Sequence, residues 1–217
     1  MGNWAAHCRY AELVLNGEYR GIYVFMEKIK RKTGRVAISS MGSGDNDGDA
    51  VTGGYIFSID KEANGWFSQY AAGAGTIQYS YVYPKESNIT AAQKDYIKKY
   101  TDSFELALAS PNYQDTANGW RRFADEKTFI DYFIVNETSR NVDGYRLSSY
   151  FNKDRVSKGG KIKAGPVWDY DLAFRNADYC NGSNTDGWGY RFNSVCPSDF
   201  WQVPFWWDRF WADTTFK

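Results

Sequence analysis

The hydrophobic pattern of this sequence changes near Thr90, and the change limits the folds that the chain can adopt. Upstream of Thr90, apolar and polar residues alternate as they do in strands that bury one face; downstream, apolar residues recur at helical spacing. No internal repeat or linker separates the two parts. We therefore expect one α+β domain over residues 1–217, with 1–89 mostly strands and 90–217 mostly helical.

The first part predicts an antiparallel sheet. Residues 10–15 and 19–26 are rich in β-formers and flank Asn16-Gly17, a pair that is typical of a tight hairpin turn. Two further strands are predicted at 53–60 and 76–84.

A polar segment at residues 39–52 carries Asp45, Asp47 and Asp49 in alternation, as a calcium loop does. Ala50 stands where an EF-hand loop requires Gly, and no Glu follows at the twelfth loop position. We interpret the segment as a surface loop.

Two helices are predicted in the second part. Thr90 and Gln93 have the spacing of a capping box, and Pro111 ends the apolar repeat that follows. A second helix begins near Asp125 and ends around Arg140.

Shorter elements follow the second helix. Strands are predicted at 146–151 and 161–168, and an amphipathic helix at 199–217. We expect the Trp-rich face of that helix, at 201–211, to be partly exposed. Six aromatic residues are expected to pack the sheet and the core: Tyr23, Phe25, Tyr79, Tyr81, Tyr83 and Trp168.

The charge balance argues against two kinds of partner. Lys plus Arg and Asp plus Glu are both 26, so the formal net charge is zero, which predicts neither a nucleic-acid footprint nor attraction to an anionic membrane. No apolar run is long enough for a membrane span. Aromatic residues make up 18% of the chain, a content found in aromatic cores and in proteins that hold sugars or nucleobases.

The cysteines and the chain start leave localisation open. Cys180 and Cys196 bracket a Gly/Asn-rich loop and would pair in an exported protein, whereas three unpaired cysteines, with Cys8, fit the sequence equally well. The start MGNWAAHCRY has neither the basic beginning nor the apolar core of a signal peptide.

The segment GPVWDYDLAFRN, residues 165–176, predicts a metal site. Asp169 and Asp171 are two positions apart, so in an extended segment both carboxylates project to one side. Two anions in a partly buried site repel each other unless a cation lies between them. Alternatively, each carboxylate caps backbone N–H groups in a tight turn.

The elements around this pair follow the order used by protein kinases. A helix leads to a loop with Asn141 and Asp143, then to a hairpin, then to Asp169, as in kinases that place a catalytic-loop acid and a metal-binding Asp around a hairpin. Turn chemistry in Asn-Val-Asp-Gly would also explain Asn141 and Asp143. A GxGxxG loop and an HRD motif are both missing from the sequence, and its one His is His7.

A nucleotide site of this kind needs a cation for the phosphates. Lys28, Lys61 and Lys85 lie at or near predicted strand ends, and Glu27 is placed to orient such a lysine. Each of the four also fits a solvated strand end.

Five stretches together resemble the spore-coat-protein-H (CotH) kinase-like family. In order they are LNGEYRGIYVFMEKI, GGYIFSID, YVYPK, FIDYFIVNE with NVDGYRLSSYF, and GPVWDYDLAFRN, and they run over nearly all of residues 10–215. The resemblance implies an atypical protein-kinase fold: an antiparallel N-terminal sheet and a helical C-terminal part, with a hairpin bearing the metal-site aspartates.

The same resemblance implies a function. Family members bind ATP with Mg²⁺ and, in spore-coat members, phosphorylate Ser on coat proteins; others lie on bacterial or fungal surfaces. By position, Asp143 would be the catalytic acid, Asp169 the metal ligand, and Asp171 and Asn141 supplementary ligands. Lys28, Lys61, Lys85 and Glu27 remain the candidates for nucleotide binding.

Two departures from the family pattern carry expectations. Members usually have a KGNSSW-like stretch upstream of the hairpin, and the C-terminal helix that follows WWDRFWAD is cut short here, so we expect this domain to be truncated at both ends. Arg175 stands where the family commonly has Gly. The expected partners are ATP and a secreted or surface protein. The alternative function is a non-catalytic cell-surface module that binds a glycan or a protein through its aromatic surface.

Overall fold

The computed structural model describes residues 4–62, 64–72 and 75–217. Met1, Gly2 and Asn3, the first residues of the segment compared above with a signal peptide, lie outside the described residues. A hairpin, β1 (Cys8–Leu15) and β2 (Glu18–Met26), precedes a five-stranded sheet. The sheet contains β3 (Tyr55–Ile59), β4 (Trp66–Ala72), β5 (Gly75–Tyr83), β6 (Ser149–Lys153) and β7 (Ile162–Ala164), and its helices are α1 (Ala91–Ala109), α2 (Glu126–Ser139), α3 (Phe192–Val195) and α4 (Trp206–Ala212).

All pairs in the five-stranded sheet are antiparallel, in the order β4-β5-β3-β6-β7. The predicted α+β architecture, with antiparallel strands before the long helices, is confirmed. The two hairpin strands β6 and β7 join the sheet at one edge, next to β3. The acidic segments before β6, with Asp143, and after β7, with Asp169, are therefore both attached to the sheet.

The N-terminal hairpin forms as the sequence predicts, with Asn16 and Gly17 at positive φ in its turn. Its side chains, however, do not pack into the core. Tyr23 is 50% and Phe25 76% exposed, so the prediction that they pack the core is wrong. The reason is that β1 and β2 pair only with each other among the described residues, and residues on both faces of the ribbon stay exposed.

The five-stranded sheet buries both faces, but against different partners. Tyr55, Phe57 and Ile59 point to the main core, where they meet the helices and the fully buried Tyr79. The alternate side chain Ile56 points to the other face and packs with Ile29 and Val36 of the segment that follows the hairpin. A groove beside that segment carries the candidate site.

The two long helices have the predicted ends. The Thr90 side chain accepts the Gln93 N–H and the Gln93 side chain accepts the Thr90 N–H, so the capping box is confirmed. Asp125 caps α2, and Arg140 ends it in the left-handed conformation. The predicted boundaries of α2 are confirmed.

The C-terminal prediction needs two corrections. The helix covers only Trp206–Ala212, because Pro204 cannot occupy a helix interior. Trp206, Trp207 and Phe210 are completely buried, so the expectation of a partly exposed Trp face is wrong for them. They fill the space between α1, α2 and the sheet, and Trp206 donates to the buried Glu105 at 3.0 Å.

The sheet differs from prediction at three places, one of which is β6: it covers Ser149–Lys153 instead of 146–151. Strand β4 was not predicted, and β7 ends at Ala164 instead of continuing to Trp168. Gly165 lies at φ 102° and Pro166 has no N–H for the ladder, so the strand cannot continue through them.

A disulfide joins Cys180 and Cys196, which resolves the cysteine pairing that the sequence leaves open, and Cys8 is free and exposed. Within the described residues, none of the helices has the length and apolar character to cross a bilayer.

Candidate active site

The C-terminal end of α2 holds the two acidic segments together. The chain leaves α2 at Arg140 and enters the loop with Asn141 and Asp143. The segment after β7 returns to the same place, because the Tyr170 hydroxyl donates to Asn136 of α2 at 3.0 Å and the Phe174 N–H donates to the helix carbonyl of Ser139 at 2.7 Å. These bonds fix Asp169 near the Asp143 loop.

Asp169 lies in an electronegative environment. Partial burial raises the pKa of this carboxyl group, the charge of Asp171 raises it further, and Asp143 and Asp60 add smaller effects in the same direction. The Ser148 hydroxyl donates to Asp169 at 3.4 Å and opposes these effects. Among the described residues, no lysine or arginine forms an ion pair with Asp169 or Asp171.

Asp143 has one carboxylate oxygen held by the protein and one left for another partner. Its Oδ1 accepts from Nη2 of Arg146 at 2.8 Å and from the Tyr179 hydroxyl at 2.6 Å. Its Oδ2 has no donor among the described residues, and the side chain is 17% exposed. An oriented carboxylate of this kind can accept a proton from a substrate hydroxyl.

Asn141 stabilises the turn that carries Asp143. It is buried, and its side-chain oxygen accepts the N–H of Asp143 at 3.2 Å. A Cβ on Gly144 would lie 2.5 Å from Oδ1 of Asn136, so the turn also requires a glycine. The geometry agrees with the turn interpretation of Asn-Val-Asp-Gly, and a role of Asn141 as a metal ligand stays a prediction.

A groove of about 1010 Å³ lies on the outer face of the sheet, and Asp143, Asp169 and Asp171 are not among the residues that line it. Its lining includes Lys28 and Lys85, together with Asp60 and Glu62. Tyr150 also lines it, and its pKa is raised to about 12 by burial first and then by the charges of Asp60, Glu62 and Asp169. Asp169 therefore interacts electrostatically with Tyr150 and Asp60 of the groove lining.

Two predicted nucleotide-binding residues lie elsewhere. The Lys61 ammonium lies 5.8 Å from the centre of the Trp201 ring. Glu27 accepts from the His7 ring at 2.7 Å and lies 3.5 Å from Nε of Arg35, and it pairs with no groove lysine among the described residues. The structure thus brings Lys28 and Lys85 to one groove, but neither Lys61 nor Glu27 lines it.

The acidic side chains of the site partly match the ligands that magnesium prefers. Within the described residues, no three His, Cys, Asp or Glu side chains form a ready metal cluster. Mg²⁺ needs fewer protein ligands than that, since it is usually held by one or two carboxylates with water and substrate phosphates. Asp169 and Asp171 supply such carboxylates; burial first, and then the charge of Asp171, raises the pKa of Asp169, and a bound cation would offset both effects.

Sequence reasoning missed three residues that contact the site acids. Ser148 lies five positions after Asp143, where the kinase catalytic loop has a metal-binding Asn, so the spacing was a usable signal. Arg146 is three positions from Asp143, but its burial gave no sequence signal. Tyr179 reaches Asp143 from a distant loop, a contact that only the tertiary fold creates.

The fold and the site together define a class of protein. The chain is α+β with antiparallel sheets, and it carries one carboxylate on a loop before a hairpin and a second carboxylate after that hairpin. This arrangement is consistent with a kinase-like fold. The family model described as "CotH kinase protein" matches residues 1–217, the whole chain, and the chain belongs to this family. A comparison of the chain with curated proteins finds no match.

Proposed function

We propose that this protein transfers the γ-phosphoryl group of ATP, with Mg²⁺, to Ser or Thr hydroxyls of secreted or surface proteins of the coat type. The observation that carries the proposal is the groove itself. It combines Lys28 and Lys85 with Asp60 and Tyr150, both of which interact electrostatically with Asp169, and it is large enough for a nucleotide. Family membership supports the kinase class.

The residues divide the chemistry between them. Lys28 and Lys85 bind phosphate oxygens, and Asp169 with Asp171 would hold magnesium. When bound, the metal neutralises charge that develops on the phosphates. Oδ2 of Asp143 accepts the proton of the acceptor hydroxyl while the hydroxyl oxygen attacks the γ-phosphorus; the bond from that phosphorus to the β–γ bridging oxygen breaks, and ADP leaves. Oδ1 stays bonded to Arg146 and Tyr179.

An exported location is part of the proposal. The disulfide between Cys180 and Cys196 supports it, because disulfides persist mainly in oxidising compartments outside the cytosol. The proposed acceptor is accordingly a protein that meets this domain at a bacterial cell surface or in a coat.

One observation favours the alternative function, a non-catalytic binding module. Several aromatic side chains are exposed, including Phe200 at 64% and Trp188 at 48%, and such rings could stack on sugars or contact a partner protein. A module of this kind would not need the Asp143 and Asp169 segments to meet, and the structure brings them together.

Transfer of labelled γ-phosphate to dephosphorylated casein, or to the protein itself, tests the proposal. We expect Mg²⁺-dependent incorporation by the wild-type protein and a loss of about a thousandfold in Asp143→Asn, because the proton acceptor is removed. Asp131→Asn is the control, since Asp131 is a surface residue of α2 paired with Lys127. No incorporation by wild type, or full activity of Asp143→Asn, would contradict the proposal.

A further inference from the structure

Arg146 is a charged residue inside the protein whose hydrogen-bonding capacity is filled. The side chain is 1% exposed. A guanidinium has five N–H donors, and five contacts use them: Nη2 to Oδ1 of Asp143 (2.8 Å) and to the Tyr179 hydroxyl (3.2 Å), Nη1 to Oδ1 of Asp199 (3.2 Å) and to the Trp201 carbonyl (3.1 Å), and Nε to the Val142 carbonyl (3.0 Å).

Most of these partners come from one distant segment, which a disulfide closes. Tyr179 directly precedes Cys180, and Asp199 lies shortly after Cys196. Phe192 lies between the cysteines in the sequence, and its ring packs against the guanidinium, with Cζ of Arg146 3.8 Å from the ring centre. The segment thus contacts Arg146 through a hydroxyl, a carboxylate and an aromatic face.

Tyr179 contacts both members of the Asp143–Arg146 pair. Its hydroxyl donates to Oδ1 of Asp143 at 2.6 Å and accepts from Arg146. Burial raises the pKa of Tyr179, and the bond to Asp143 raises it further, so the hydroxyl keeps its proton and remains a donor.

We infer that Arg146 and Tyr179 are positioning residues that fix Oδ1 of Asp143, so that Oδ2 faces the acceptor hydroxyl, and that the Cys180–Cys196 disulfide holds the segment that supplies this support. The assignment rests on the proposed phosphoryl transfer, in which Asp143 accepts the proton. Two charge-assisted bonds to a single oxygen restrict both the position and the rotation of the carboxylate. A misplacement of about 1 Å in such a group can cost about a hundredfold in rate.

Tyr179→Phe tests the positioning role, because it removes the hydroxyl and keeps the ring. We expect kcat for γ-phosphate transfer to fall about tenfold to a hundredfold, with KM for ATP unchanged, since Tyr179 does not line the nucleotide groove. The control is Tyr100→Phe, which removes a half-buried hydroxyl whose hydrogen-bond partners among the described residues are the carbonyls of Phe123 and Gly160. It should leave both constants unchanged.

The outcomes separate this assignment from the proposed function. Absence of transfer by the wild-type protein would contradict both. Active wild type with an equally active Tyr179→Phe protein would overturn the positioning role alone, and so would a change confined to KM. A double-mutant cycle between Tyr179→Phe and Asp143→Asn, measured by urea unfolding, checks their coupling without any activity assay, and additive effects would also overturn the role.

The disulfide has its own test. The double variant Cys180→Ser with Cys196→Ser should lose kcat in the same way as Tyr179→Phe while nucleotide binding is kept, and Cys8→Ser, at the free exposed cysteine, should change neither. Unchanged kcat, or general unfolding of the double variant, would overturn the local role of the disulfide.

Discussion

Two buried arginines, Arg146 and Arg121, have similar surroundings. Each guanidinium pairs with two carboxylates, Arg146 with Asp143 and Asp199, and Arg121 with Glu126 and Asp213. Each also joins distant parts of the chain: Arg146 reaches the segment after the disulfide, and Arg121 ties the C-terminal segment to the start of α2.

Asp213 and Asp143, one carboxylate from each network, differ in how completely they are bonded. Asp213 has both oxygens occupied, Oδ2 by Arg121 at 2.7 Å and Trp120 at 3.1 Å, and Oδ1 by the N–H and hydroxyl of Thr215. In the part of the chain that the structure describes, Asp143 has donors on Oδ1 and none on Oδ2. Asp213 therefore has no oxygen left for another partner, whereas Asp143 keeps Oδ2 available for a substrate hydroxyl.

The largest expected effect is on stability, at Asp213. Asp213→Ala leaves the Arg121 charge and the Trp120 N–H without their buried partner, so we expect the free energy of unfolding to fall by about 3–5 kcal/mol. Urea unfolding measures this. The variant protein that remains folded should transfer phosphate at the wild-type rate, and a specific loss of turnover would mean that the Arg121 network also serves the site.

The next prediction exchanges each arginine for lysine. Arg146→Lys keeps the charge but not the planar set of donors, so kcat should fall about a hundredfold while the Kd for Mg–ATP stays unchanged. Arg121→Lys is the matched control and should lower stability without changing kcat per folded molecule. Equal losses of kcat in both variants would remove the distinction between the two networks.

Acid titration distinguishes Asp213 from Asp169, because the pKa of Asp213 is lowered in the folded protein and the pKa of Asp169 is raised. Burial tends to raise the pKa of Asp213, but hydrogen bonds from Arg121, Trp120 and Thr215 outweigh it and lower the pKa to about 2 from 3.8. Its contribution is present above pH 3.8 and is lost as pH falls towards 2, a change of about 2 kcal/mol that should be missing in Asp213→Asn.

Asp169 has the opposite dependence. Its pKa in the folded protein is raised, so its contribution to stability is present below pH 3.8 and is lost as pH rises through the folded value. Asp169→Asn should therefore not destabilise the metal-free protein at neutral pH. Unfolding curves recorded from pH 2 to 7 for Asp213→Asn and Asp169→Asn measure how each carboxylate changes the free energy of unfolding with pH. The same direction of change for both would contradict the assignment of Asp213 to the fold and of Asp169 to a cation.

The smallest expected effect concerns Ser148, which donates to Asp169 as Tyr179 donates to Asp143. Ser148→Ala should weaken the affinity for Mg–ATP only a few-fold, because a hydrogen bond 3.4 Å long is weak. Ser148→Asn supplies the amide found at this position in protein kinases and should retain or strengthen binding. Asn also tolerates the left-handed conformation of this residue, φ 48°. Weaker binding by the Asn variant than by the Ala variant would argue against a role for residue 148 near the metal.

The parts of the fold that local patterns determine could be predicted. The hairpin turn at Asn16-Gly17, the capping box at Thr90 and the end of α2 at Arg140 each depend on a few adjacent residues. The exposure of Phe25 could not be predicted, because alternation indicates a strand but does not show whether anything covers it.

The candidate site was predictable to a similar degree. The order of segments predicted that Asp143 and Asp169 would lie near each other, and the structure places them within electrostatic reach. The support from Tyr179 and Asp199 comes from far along the chain and has no local signature. Arg175, where the resemblance leads one to expect Gly, lies at φ 70°, which explains the usual glycine; its side chain donates to the Ser183 carbonyl at 2.7 Å.

The most direct test of the account is a calorimetric titration of ATP into the wild-type protein and Asp169→Asn, each with and without Mg²⁺, with Asp131→Asn as the control. Binding that requires Mg²⁺, persists in Asp131→Asn and is lost in Asp169→Asn is the predicted result, because Asp169 is the proposed metal ligand and interacts electrostatically with Asp60 and Tyr150 of the lysine-bearing groove. No binding by the wild-type protein, or equal binding by Asp169→Asn, would contradict the assignment of this groove as a magnesium–nucleotide site.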